Sequence, residues 1–589
     1  MNHDAFLAEV LAALDQALAE MLSQAKITNA SADEFAPTPT PPPQFDLGQA
    51  AIPCHPLAKM LRSAPPKIAQ HLADAINGRK HRYIAKVDAV NGYLNFHCQF
   101  VAYAEQLLPE IRSGRYFTRK LLLPSQIEKI VVEYSQPNTH KALHVGHLRN
   151  MVYGDAVCNL LAFAGHEVVR ATYPGDMGTH IAKTLWYLHE RGADKKLPTE
   201  NQADWLGHMY AEADEYVTNA EKKPEGAALK AQITAVLHDL QHRQGSYYPL
   251  YLTTREWSLA QMREIYQWLG IHFDVWYFES ECDEPSRELV LRKFQEGFFV
   301  KSEGAIGIDL SAYNLGFALF LKSDGSGLYL TKDLELIRRK FEDPRVTRSI
   351  VVVDARQKLH FKQLFKTAEL MGYPQAAKSE HLSYETVTTE DGKAFSSRSL
   401  TGMPLHQLRE VMEKKVITDY LESFRGEWPD AEIQRTAGMV ALGALKYGFL
   451  RVDGNGVIRF VLDEWLKLDG DTGPYLQYVH ARCSSVIRKL GGAPADVTPV
   501  LETAIERELL FFLGGLDRVG LQAAHQSRPS VLAGYLYDLC KLFNRFYTEC
   551  PIKTSSGAQR DTRLALVEAT AAVLKKGLSL LGIPAPERM

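Results

Sequence analysis

The spacing of apolar positions divides this chain of 589 residues into three stretches of different character. Phe6 to Leu22 is apolar but punctuated by Glu9, Asp15 and Glu20, with Asp4 ahead of it, the pattern of an amphipathic helix. Prolines gather at Pro37 to Pro43, helical spacing returns from His55 to Ala75, and Tyr83 to Phe96 alternates with the period of strands. Residues 1–118 therefore read as a separate module. From about Ser125 to Val411 strand-like and helical runs alternate, which predicts a doubly wound parallel sheet. Its strands are expected at Ile130–Tyr134, Val168–Thr172, Gly316–Lys322 and Ser349–Asp354. A polar, mostly helical insertion at about 190–300 separates the two halves and is assigned no chemistry. After Trp428-Pro-Asp430, with Asp430 as candidate cap, the chain is helical to its end. Ile433, Ala437, Val440, Ala441, Ala444, Leu445 and Gly448 form a packing stripe there.

Composition adds limits. With 46% hydrophobic and 23% charged residues the chain reads as an ordinary globular protein of roughly three or four domains. No apolar run is long enough to cross a bilayer, and the first helix lacks the basic flank of a signal peptide. Seven cysteines without a CxxC pair indicate neither a zinc knuckle nor a disulfide framework and fit a reducing compartment. A net charge of -3 is no signature of a nucleic-acid binder, so RNA contact would need local patches. Arg79, Lys80, Arg82 and Lys86 beside Tyr83 form one such cluster, and Arg112, Arg115, Arg119 and Lys120 beside Tyr116 and Phe117 another. Each taken alone reads as a solvated face.

The densest chemistry lies between Val131 and Asn150. A buried strand runs into Glu133-Tyr-Ser-Gln-Pro-Asn138, where Pro137 and Asn138 break it, and then into Lys141-Ala-Leu-His-Val-Gly-His147. Helical spacing begins near His147 and runs to Phe163, with Gly165 as its stop. His144, Gly146 and His147 thus fall at a helix N-terminus, where free backbone N–H groups and the helix dipole favour phosphate. Gly146, without a side chain, would let a nucleotide lie against the backbone. Two imidazoles can donate to the charge that grows on a phosphate under attack. Paired histidines at a helix start also serve as caps or metal ligands, so the tetrapeptide alone leaves those roles open.

The whole stretch resembles the first motif of the class I aminoacyl-tRNA synthetases. Glu133-x-Ser-x-Pro-Asn138, with Lys141 three residues before His144, resembles the arginyl-tRNA synthetases in particular. Asn91-Gly-Tyr-Leu-Asn-Phe96 is similar to the closing strand of that family's N-terminal domain, which touches the corner of tRNA. Gly473–Arg482 and Asn544–Pro551 resemble its helical anticodon-binding domain. The resemblance implies an α/β fold with a class I Rossmann-like parallel-sheet catalytic core over 119–425. An α+β N-terminal domain over 1–118 and an all-α anticodon-binding bundle over 426–589 would flank it. It implies that arginine is activated by ATP and transferred to tRNA(Arg): the carboxylate attacks the α-phosphorus, pyrophosphate leaves, and the terminal ribose hydroxyl takes the amino acid. Mg2+ on the phosphates, no protein-held zinc, no membrane partner, a cytoplasmic location and a monomer are expected.

The same resemblance assigns residues. His144, His147 and Lys141 would neutralise phosphate charge, and His144, Gly146, His147 and His360 would contact ATP. The loop that reads KMSKS across the class corresponds to Phe395-Ser-Ser-Arg-Ser399 within Asp391–Gly402. It keeps only Arg398 and lacks the final lysine, so Lys141 would substitute, with Lys393 as a further cation. Alone, the loop reads as a Gly/Ser surface turn. A guanidinium has five donors and no acceptor, and Glu133, Asp333 and Tyr329 would receive it, while Ser135 and Asn138 hold the α-amino and carboxylate groups and Gln357 also belongs to the arginine site. Asp333 can equally cap a helix over Leu334–Phe341, Glu133 can be an exposed strand-end charge, and Gln357 a solvated residue. A class I synthetase for an apolar amino acid would not be expected to place two carboxylates in its pocket. The irregular loop at Ser396 to Ser399 leaves room for a non-catalytic relative that binds tRNA or a partner protein. Met177 and His180 in Gly175-Asp-Met-Gly-Thr-His180, where relatives often carry Trp and Gln, also leave it room. Intact His144, His147 and Lys141 weigh against it.

Overall fold

The computed structural model describes residues 4–24, 39–191, 197–224, 226–392 and 403–589. Lys393, Arg398 and the start of the proline-rich link lie outside the described residues.

At the centre stand five parallel strands: β1 (Lys129–Glu133), β2 (Glu167–Thr172), β3 (Val275–Trp276), β4 (Val346–Asp354) and β5 (Glu380–Tyr384). Their order is β5-β4-β1-β2-β3. Ile130 to Val132 and Ile350 to Val352 are continuous apolar runs buried on both faces, as strands covered by helices on each side require. The chain leaves β1 in one direction and returns to the other side at β4. The carboxyl ends of these two strands therefore flank a crevice, the ordinary ligand position in such sheets.

Two expectations about this sheet are corrected. The run at Gly316–Lys322 does form a strand, Phe317–Leu321, but it pairs antiparallel with Ala305–Asp309 in a separate three-stranded sheet. Ala318 and Phe320 are buried while Phe317 and Leu319 are exposed, the one-sided burial of a peripheral sheet. The insertion also ends sooner than expected, because β3 and the helix Glu279–Gln295 already belong to the core. A two-residue strand is too short to show a period.

Helix α1 (Val145–Ala164) runs from the crevice through the middle of the molecule and stops at left-handed Gly165. It is apolar nearly all round, which fits a helix packed on every side. Arg149 sits within it, 2% exposed. In place of a carboxylate its guanidinium donates to five backbone carbonyls, those of Glu385, Thr386, Asp453, Gly454 and Gly456.

The N-terminal part packs the helices Ala5–Gln24, Pro65–Asn77 and Phe100–Arg112 on a three-stranded antiparallel sheet. Asn91 and Gly92, both at positive φ, make the two-residue turn between strands Ile84–Val90 and Tyr93–Cys98. In the second basic cluster Arg112 and Arg119 are structural, while Arg115 and Lys120 are exposed. Arg112 donates to Glu568 and to the carbonyls of Ala493 and Pro494, and Arg119 bridges Glu110 and Asp517. They join this part to the C-terminal helices and are no solvated face.

Those helices begin with Asp430–Leu450, whose stripe of Ile433, Ala437, Val440, Ala441, Ala444 and Leu445 is buried. Asp430 is the first helical residue behind Pro429, and its carboxylate accepts from Arg425 in place of capping. The two motif segments of this region meet: Arg482 donates to Asn544 over 2.8 Å, and Asn544 to the Tyr475 hydroxyl over 2.9 Å. No described helix is long and apolar enough to cross a membrane.

Candidate active site

A cleft of about 310 Å3 opens between the ends of β1 and β4 and the start of α1, lined by Ser135, His144, Gly146, His147, Asn150 and Gln357 among others. The helix starts two residues earlier than expected, at Val145, because His144 is its cap. The Gly146 N–H donates to His144 Nδ1 over 3.1 Å, and the His144 N–H donates to His147 Nδ1 over 3.1 Å. Two histidines thus form the reciprocal box usually made by Ser or Thr with Glu. A backbone N–H can only donate, so both Nδ1 atoms are acceptors and each neutral ring carries its proton on Nε2. Burial pushes His144 down to about 4, and burial followed by the His144 and Lys141 charges pushes His147 down to about 3. Both rings are therefore neutral donors at physiological pH. The Gly146 amide is not free for phosphate, and the positive end of the helix reaches the cleft through the imidazoles.

The loop between β1 and α1 is strained and firmly tied. Ser135 (φ 59°) and His140 (φ 65°) are left-handed without being glycine, at a cost of about 1–3 kcal/mol each. The Ser135 N–H donates to Asn150, its Oγ lies 2.7 Å from the Tyr266 hydroxyl, and its carbonyl accepts from Thr172 over 2.6 Å. The His140 N–H donates to Ser258 over 3.0 Å, and the His140 ring lies 2.8 Å from the Thr254 hydroxyl. Helix Tyr248–Leu269 of the insertion thus clamps the loop. Asn150, one turn beyond His147, also donates to the Val352 carbonyl over 2.6 Å and joins the two halves of the sheet. Sequence reasoning passed over it, although its spacing of three from His147 puts both on one helix face.

Of the residues expected to bind arginine, Ser135 and Gln357 line this cleft. Glu133 is buried, ion-paired with Lys340 and accepting from Gln136 over 3.1 Å, so it is no exposed strand-end charge. Asp333 is the fifth residue of α2 (Tyr329–Lys340), whose cap position is Leu328, which overturns the capping reading. Its Oδ2 lies 2.6 Å from His360 Nε2. His360, expected at the nucleotide, therefore stands with Asp333 and outside the cleft lining. Tyr329 opens α2 and is 71% exposed, free to cover a ligand. Asn138 pairs with Gly175, where an added Cβ would come within 2.3 Å of Asn138 Oδ1.

One carboxylate was missed. Glu279 stands beside Gly175, 3.3 Å from Lys332 Nζ, in the stretch to which no chemistry had been assigned. Burial pushes its carboxyl up to about 7; Lys332 opposes the shift while the Asp333 and Asp176 charges add to it. Burial and then the neighbouring Cys282, Asp333, Glu279 and Glu133 likewise raise the Tyr173 hydroxyl. Lys141 lies over the Tyr210 ring at 5.2 Å, and its charge reaches both His147 and His180.

A parallel sheet whose switch point is closed by a helix capped with two neutral histidines defines the catalytic core of a class I aminoacyl-tRNA synthetase. Residues 118–455 match the model of the class I (R) tRNA synthetase catalytic domain. Residues 9–98 match the arginyl tRNA synthetase N terminal domain, and 476–589 the DALR anticodon binding domain. The chain belongs to the arginyl-tRNA synthetase family. It is 45% identical to the arginine–tRNA ligase of Bdellovibrio bacteriovorus, over 95% of this chain and 96% of that one. It is 30% identical to that of Halothermothrix orenii over 97% and 99%. The arginyl-tRNA synthetase structure from Thermus thermophilus superposes with a TM-score of 0.79 at 29% identity, covering 98% of this chain and 100% of that chain.

Proposed function

We propose that this cleft activates arginine and loads it onto tRNA(Arg), with ATP held along His144, Gly146 and His147 and the guanidinium received by Asp333 and Glu279. Ser135, Asn138 and Gln357 take the α-amino and carboxylate groups. The observation that carries this reading is the convergence of Asp333 and Glu279 beside a cleft built on two neutral imidazole donors. Two buried carboxylates suit a cation with several donors and would penalise an apolar side chain. Mg2+ rides on the phosphates. The parts at 1–118 and 426–589 contact the tRNA, the chain works as a monomer, and its place is the cytoplasm. The test is charging of bulk tRNA by the purified protein, expected with arginine and with no other amino acid; charging with a different amino acid would refute the assignment.

Asp333→Asn removes the charge and leaves the cap of α2 untouched, since Leu328 holds that position. A charge-assisted hydrogen bond contributes about 1.5–3 kcal/mol, so the arginine KM is expected to rise about ten- to a hundredfold with little change in Tm. An unchanged KM would remove Asp333 from recognition.

Glu279 gives the site a pH dependence. Only its ionised form attracts a guanidinium, and its carboxyl titrates at about 7. Arginine KM should therefore fall as pH rises through 7 and level off above it, and should rise by up to about tenfold per unit below it. Glu279→Gln should bind arginine weakly at every pH; steady-state kinetics from pH 6 to 8 on both proteins provide the comparison.

A further inference from the structure

In the segment Gly175-Asp-Met-Gly-Thr-His180, Asp176 is completely buried at the edge of the proposed arginine pocket. Its Oδ1 accepts the Ser280 N–H over 2.8 Å. Its Oδ2 accepts the Ser280 hydroxyl over 2.8 Å and Arg255 Nε over 2.7 Å, and its own carbonyl accepts the Tyr251 hydroxyl over 3.0 Å. Ser280 is the second residue of helix Glu279–Gln295, and the cap position of that helix is Phe278, whose side chain has no acceptor. Asp176 therefore supplies the missing cap from another part of the chain. Arg255, held by Asp176, also covers the Phe278 ring at 4.3 Å. The two residues flanking Glu279 are held from one carboxylate.

The same short segment also grips Asn138. The Gly175 N–H donates to the Pro137 carbonyl over 3.1 Å, and the Thr139 N–H to the Gly175 carbonyl over 3.0 Å. Asn138 is thus bracketed by Gly175, and Glu279 is bracketed by Asp176, its immediate neighbour. We propose that Asp176 is a positioning residue that fixes Glu279 relative to Asn138, so that the carboxylate that receives the guanidinium is held at one set place in the pocket. This rests on the reading of Glu279 as a guanidinium acceptor.

Asp176→Asn keeps the shape and one acceptor but turns an amide toward Arg255, which has only donors. Loosening the start of the helix displaces Glu279 without removing it. In the purified full chain, arginine KM is expected to rise about tenfold, ATP KM to stay within about twofold, and the preference for arginine over homoarginine, one methylene longer, to shrink. Ser280→Ala, which deletes a single hydroxyl bond, should move the same quantities in the same direction by about threefold. A folded Asp176→Asn with unchanged arginine KM and unchanged preference overturns the proposal. If Asp176→Asn does not fold, Ser280→Ala decides: a reduced preference supports the proposal and an unaltered one overturns it. Glu279→Gln measured alongside separates the two readings. An unchanged arginine KM in that variant removes Glu279 from recognition, whereas a raised KM there with a normal Asp176→Asn removes only the positioning role.

Discussion

Replacing His147 with asparagine is expected to slow adenylate formation by about a hundred- to a thousandfold, the usual loss for one preorganised donor at a reacting phosphate. The thermal midpoint should hardly move. Asparagine Oδ1 falls where His147 Nδ1 now accepts the His144 N–H, so the reciprocal cap survives. Nothing in asparagine reaches the position of Nε2. The same logic applies to His144→Asn, whose Oδ1 can accept the Gly146 N–H. His147→Leu serves as the contrast, because it removes the cap as well and should cost about 1 kcal/mol of stability. Pyrophosphate exchange per folded molecule, with calorimetry on each variant, separates the two roles. A variant that loses stability and keeps its rate would make the histidines caps only. With both imidazoles titrating near 3 to 4, neither should impose a pH dependence between 6 and 8.

Lys141→Ala is expected to depress the activation rate by about a hundredfold while ATP KM changes less. Its ammonium is close enough to lower the proton affinity of His147, and a cation that acts on that ring also acts on a phosphate held against it. Arg398→Ala should be milder, since one arginine stands where the class usually has two lysines. Single-turnover formation of the adenylate measures both. Near-normal turnover in a destabilised Lys141→Ala would return the burden to the segment that carries Arg398.

The catalytic strand, its loop and α1 were legible because their sequence features are local: a short apolar run, a proline break, and a glycine stop at Gly165. The start of α1 was misplaced because histidine is an uncommon cap, and only the reciprocal bonds of His144 and His147 reveal it. The proposed arginine pocket was legible only in part. Asp333 and Tyr329 share one helix and are carried by the family resemblance of Tyr329-x-x-x-Asp333, whereas Glu279 and Asp176 reach the pocket through tertiary contacts between segments more than a hundred residues apart. The two-residue β3 was invisible for a related reason, because pairing to Ala171 and Thr172 defines it and no internal period does. The arginines at 112 and 119 had looked like surface charge, since sequence does not show that Glu568 and Asp517 fold back onto them.

The bonds made by Arg149 bear on whether this molecule can be taken apart. Two of its carbonyl partners, Glu385 and Thr386, lie in the α/β region, but Asp453, Gly454 and Gly456 come after the long helix Asp430–Leu450. Burial already weakens the guanidinium's hold on its proton, bringing it down to about 10. A fragment cut before Asp453 would leave the Nη2 donors of a buried charge without their carbonyls, a loss of several kcal/mol at the helix that carries both histidines. The α/β region is therefore not an interchangeable cassette, and a working truncation or chimaera has to place its junction beyond Gly456.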